Sequence, residues 1–158
     1  GSVVALKMSG IIGEPVAGII CHGAYRNFFS VAQMRLGRVK KGILKLLLPA
    51  SARKGLEEFQ SEDYINNSGA TRYVFLNGSR DRISPPETGI QFASECSGLF
   101  VALNGASHPV WNTHRWSQPQ IETAFKVVLE YIRGKQIKHL TVDESGFIHD
   151  FPYIPEIN

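Results

Sequence analysis

Cysteine is scarce in this chain: Cys21 and Cys96 are the only two in 158 residues. They are too few for a disulfide framework and form no metal-spaced set, which points to a reducing, cytoplasmic setting. No apolar run is long enough to cross a bilayer, so no transmembrane segment is expected. Aromatics do not cluster with the basic residues as they do in RNA- and DNA-binding modules, so no nucleic-acid partner is expected. His139, His149 and Asp150 show no recurring ligand spacing, and neither a metal nor a cofactor is implied. There is no internal repeat and no low-complexity tract. What remains is a chain that is 43% hydrophobic, with a net charge of +3, the composition of a globular domain.

The organising stretch runs from Tyr73 to Trp111. Two short apolar runs, Tyr73 to Leu76 and Leu99 to Leu103, are each followed by Asn-Gly, as buried parallel strands are. Asp81 follows the first, and His108 follows the second, 27 positions after Asp81. Between them, Pro86 to Cys96 has helix length, with proline and Glu87 suited to a first turn. A further strand is predicted at Val16 to Cys21, ending at His22-Gly23.

The pattern strand-x-N-G-x-x-D-x-x-x-P-P-E, helix, strand-x-x-G-A-x-H-P resembles the acid and histidine segments of the α/β-hydrolase superfamily of esterases, lipases, thioesterases and peptidases. The resemblance implies an α/β fold with three layers and a mainly parallel sheet, this chain being its C-terminal portion. Residues 1–134 would form that part of the core, with a small lid region at 28–69, and residues 135–158 a C-terminal extension. Asp81 would orient His108, and His108 would be general base and then acid in the hydrolysis of an ester, thioester or amide through an acyl-enzyme. The family's G-x-S-x-G elbow is not found. Gly1 can stand for its last glycine, with the serine two residues upstream, or Gly1-Ser2 can be a remnant of cloning. Either way the resemblance implies a chain inactive alone, with an acyl substrate in the parent enzyme. The open edge of the first strand would be met by a chain carrying the N-terminal half, or by a second copy in a homodimer. Two alternatives stay open: a hydrolase-like module that binds a ligand or protein without catalysis, and an aspartate nucleophile on the same fold.

Cys21 ends a strand and lacks an elbow context, so it reads as a buried hydrophobe. His22 and Trp111 are candidates for lining a substrate pocket; Trp111 and Trp116 read first as loop packing, and His114 is a rival base farther from the strand end. The block Ile43, Leu44, Leu46, Leu47 and Leu48 lies among the basic residues from Arg35 to Lys54. It reads as a helix packed on the sheet, or as a lid over an acyl pocket or against a membrane surface. Ser51 is a potential helix cap. Ser117 and Gln120 have capping-box spacing, Ile121, Phe125, Val128 and Ile132 mark a core-facing stripe, and Gly134 closes this last helix. Alternation in 139–142 and 147–151 predicts a hairpin, giving about three parallel strands before it.

Overall fold

The computed structural model describes residues 8, 16–58, 63, 70, 72–108 and 117–152. In chain order these form β1 (Ile19–His22), α1 (Phe28–Leu47), α2 (Ala50–Glu58), β2 (Tyr73–Gly78), α3 (Pro86–Glu95), β3 (Leu99–Leu103), α4 (Gln118–Ile132), β4 (Leu140–Val142) and β5 (Ile148–Asp150). One sheet holds all five strands in the order β1-β2-β3-β4-β5. The first four are parallel and β5 is antiparallel to β4. The expected hairpin is therefore present, but the expectation of about three parallel strands falls short. Leu140, Thr141 and Val142 pair in parallel with Val101, Ala102 and Leu103, so the tail extends the sheet.

Strand alternation sorts the side chains into two cores. On one face Val74, Leu76, Val101, Leu103, Leu140 and Val142 pack with Ala124, Val127, Val128 and Tyr131 of α4. On the other, Cys21, Phe75, Phe100 and Ala102 pack with Phe92 and Ala93 of α3. Helices thus cover both faces, as an α/β sheet buried on both sides requires. Phe75, Phe92 and Phe100 are fully buried, each contributing about 2–3 kcal/mol through the area removed from water.

Three helix expectations need correction. The buried face of α4 is Gln120, Ala124, Val127, Val128 and Tyr131, while Phe125 is exposed, so the core-facing stripe is rotated from Ile121, Phe125, Val128 and Ile132. Ser117 does cap α4, accepting from the Gln120 amide at 3.2 Å, but the Gln120 side chain does not complete a capping box. It is buried and donates to the carbonyls of Asn104 and Val142, both at 2.9 Å, where β3 and β4 end. Ser51 lies inside the first turn of α2 and is no cap. Pro86 and Glu87 do begin α3, and Gly134, at φ 111°, does close α4.

α1 is not one rod. Asn27 and Ser30 form a capping box at its start, and Gly37, at φ 77° and ψ 169°, interrupts it. Past Gly37 the chain doubles back: Lys41 Nζ donates to Gln33 Oε1 at 2.7 Å, and Lys45 Nζ lies 4.5 Å from the centre of the Phe29 ring. In a straight helix Phe29 and Lys45 would stand about 24 Å apart. The block after the reversal is not packed on the sheet, contrary to the first of its two readings. Ile43, Leu46 and Leu47 face solvent, because the basic side of the helix meets the preceding turns. Among the described residues, no helix is long and apolar enough to cross a membrane.

Candidate active site

Asp81 and His108 meet beyond the carboxyl ends of β2 and β3. Asp81 Oδ2 lies 2.8 Å from His108 Nδ1. The Asp81 carboxylate is wholly buried, whereas the His108 side chain keeps 26% of its surface. The other carboxylate oxygen, Oδ1, accepts from the amides of Ile83 and Ser84, both at 2.8 Å. An aspartate that caps its own loop in this way is held in one rotamer before any partner arrives.

The two loops are fastened by backbone. Arg80 N donates to Ala106 O at 2.8 Å, Ser79 N to Leu103 O at 2.9 Å, and Gly105 N to Ser79 Oγ at 2.9 Å. Gly78 makes this approach feasible: a Cβ there would stand 2.3 Å from Ala106 O and 2.9 Å from Ser107 O. Asn77 and Ser79 read as ordinary turn residues in the sequence. In the fold Asn77 is fully buried and donates through Nδ2 to Ser84 O at 2.8 Å. Ser84, also buried, donates its hydroxyl to Gly23 O at 2.6 Å and so ties the acid loop to the end of β1. Ser84 carries no catalytic-type signal. Its one sequence trace is its place three residues after an aspartate, the reach of a side chain that caps a following amide.

His22 stands at the end of β1 on the same rim, half-buried. Its burial first, then the proximity of His108, oppose its charging, with Asp81 acting in the other direction, and its pKa falls from 6.5 to about 4. It is a neutral neighbour of the dyad near neutral pH. The unfolded chain takes up this proton near pH 6.5 and the folded chain only near 4. His22 therefore favours the folded state fully above 6.5, and that contribution, at most roughly 3 kcal/mol, is lost as the pH falls from 6.5 to 4. Urea midpoints measured between about pH 7 and pH 4 should decline less in His22→Gln than in the wild type. Equal declines would remove His22 as the source.

Cys21 is buried in the core on the α3 side, and burial, with Cys96 adding to it, pushes its thiol up to about 12. It stays protonated and is no nucleophile, in keeping with its strand position. Trp111, Trp116, His114, Gly1 and Ser2 lie outside the described residues. Among the described residues, no hydroxyl or thiol hydrogen-bonds His108 Nε2, and no group of three or more His, Cys, Asp or Glu could hold a metal. An open depression beside the acid loop is lined by Ser79, Arg80, Asp81, Arg82, Pro85, Pro86 and Glu87.

A buried carboxylate that fixes one ring nitrogen leaves the other free to accept a proton, the arrangement of a general base. Comparison with family models, with curated proteins and with solved structures finds no match to this chain.

Proposed function

We propose that this chain supplies the acid and base of a serine-type hydrolase of the α/β-hydrolase kind, acting on an ester, thioester or amide. The observation that carries the reading is the 2.8 Å contact from His108 Nδ1 to a fully buried Asp81 carboxylate, at the ends of adjacent parallel strands. With Nδ1–H donated to Asp81, Nε2 carries the lone pair. It would take the hydroxyl proton of the nucleophile as that oxygen bonds to the acyl carbon, then hand the proton to the departing alkoxide, thiolate or amine. Water would release the acyl group by the same sequence. Asp81 would balance the imidazolium charge in both halves of the reaction.

The nucleophile and oxyanion donors would come from outside the described residues. β1 is an outer strand of the described sheet, and a strand leading to the nucleophile, from another segment or a second chain, would pair there. The carboxylate's two backbone donors suit Asp81 to orienting His108, whether the nucleophile is a serine or an aspartate. A non-catalytic reading would seat a small polar ligand in the open depression beside the acid loop, whose lining sets Arg80 and Arg82 beside Asp81 and Glu87.

The tautomer of His108 tests the reading. In ¹⁵N spectra near neutral pH, Nδ1 should carry the proton and Nε2 should not, and Asp81→Asn should abolish that preference. Protonation at Nε2 in the neutral ring would sink the general-base assignment.

A further inference from the structure

We propose that the second half of α1, from Arg38 to Leu47, is a docking surface for an anionic lipid bilayer. It is a proposal independent of the hydrolase reading. Val39, Ile43, Leu46 and Leu47 follow one another at four, three and one residues and so share one face of the helix. That face is turned to water: Val39 is 78% exposed, Leu46 80% and Leu47 77%. Leu36, just before the reversal at Gly37, is exposed as well. The helix is thus turned inside out. Lys41 and Lys45 occupy the inward side, on Gln33, Phe29 and Glu57, where a helix of a globular domain ordinarily places its aliphatics.

Charge identifies the occupant. Residues 23–56 contain eight basic side chains, Arg26, Arg35, Arg38, Lys40, Lys41, Lys45, Arg53 and Lys54, and no acidic one. The other 124 residues carry nine basic and fourteen acidic side chains, so the positive charge is concentrated on the segment that exposes the aliphatics. Arg38 and Lys40, both exposed, flank Val39 at one helical step to either side, on the margins of the apolar face. An apolar stripe edged by cations is complementary to a bilayer surface, with aliphatics entering the acyl boundary and cations resting on anionic headgroups. A nucleic acid would meet the cations but leave four aliphatics in water, with no aromatic on that face to stack on a base. A second copy docked by twofold symmetry would set this cationic face against itself.

Co-sedimentation of the whole chain with vesicles at low ionic strength decides the matter. Phosphatidylcholine vesicles containing phosphatidylglycerol should bind it, and phosphatidylcholine alone should bind far less. The exposed pair Leu46→Ser and Leu47→Ser should lower the affinity for anionic vesicles at least about tenfold. Arg38→Gln and Lys40→Gln should each lower it about fivefold, with circular dichroism unchanged in all variants. Absence of binding to anionic vesicles would overturn the proposal. So would undiminished binding by the leucine variant, or light scattering that shows a wild-type dimer which the leucine variant dissolves.

Discussion

Gly78→Ala is expected to cost about 2–4 kcal/mol of stability and to pull His108 away from Asp81. The new methyl would stand 2.3 Å from Ala106 O, 2.7 Å from the Ala106 carbonyl carbon and 2.9 Å from Ser107 O. These are backbone atoms, which cannot rotate aside, so the loop after β3 must retreat. That loop also holds the carbonyl receiving Arg80 N at 2.8 Å, and its retreat would loosen the acid loop as well. Thermal or urea unfolding gives the stability, and the His108 nitrogen shifts report the dyad. A variant as stable as the wild type, with the His108 signals unmoved, would show that the two strand ends tolerate a side chain between them.

Replacing His108 by alanine is expected to lower acyl-ester hydrolysis by roughly 10⁶-fold in a form of the protein that carries its nucleophile, leaving only the catalysis that oxyanion donors and binding supply. Without the imidazole, no base in the described site faces the attacking hydroxyl: Asp81 is sealed from solvent and His22 is a base too weak, at about 4, to share the work near neutral pH. Asp81→Asn should lose less, roughly 10⁴-fold, because an amide can donate to Nδ1 and turn the proton to Nε2. The loss should appear in kcat, since neither change removes a group assigned to substrate binding. Hydrolysis that survives His108→Ala would discard the proposed mechanism, and retained ligand binding by that variant would favour the non-catalytic reading.

The dyad was legible because its parts announce themselves locally. Asn-Gly after each apolar run marks a strand's end, and an acid and an imidazole placed after two such ends are brought together once the strands pair in parallel. The orientation of helices was less legible. In α4 a stripe of large apolar residues, Ile121, Phe125, Val128 and Ile132, overlaps the true inner face, yet the fold selects Gln120, Ala124 and Tyr131. Gln120 turns inward to donate to the carbonyls of Asn104 and Val142 where two adjacent strands end, the second of which also accepts from Asn104 N at 2.9 Å. Hydrophobic periodicity cannot register such a contact, which arises only when the strands are side by side. The leucines of α1 illustrate the same limit: a periodic stripe says that residues share a face, and only the reversal at Gly37 determines that the face looks outward. Alternation in the tail predicts the hairpin that β4 and β5 form. Its parallel pairing with β3 depends on a partner 39 residues earlier, since Val101 pairs with Leu140, and no local pattern encodes it.

The connection between β1 and β2 has a consequence for how this protein could be rebuilt. The two strands pair directly, Ile19 with Tyr73 through His22 with Leu76, yet the path between His22 and Tyr73 is far longer than the ~10–12 residues a parallel crossover needs. Every atom of the Asp81–His108 pair and of the bonds that fix it comes from the end of β1 or from residues after Tyr73. The leucine face itself makes none of these bonds, although Ala24 and Ala70 at the two ends of the excursion pack in the core and Arg26 pairs with Glu95. A short helix grafted between Arg26 and Ala70 should leave the dyad intact while erasing the surface, and a different excursion in the same slot could send the same chemistry to another address.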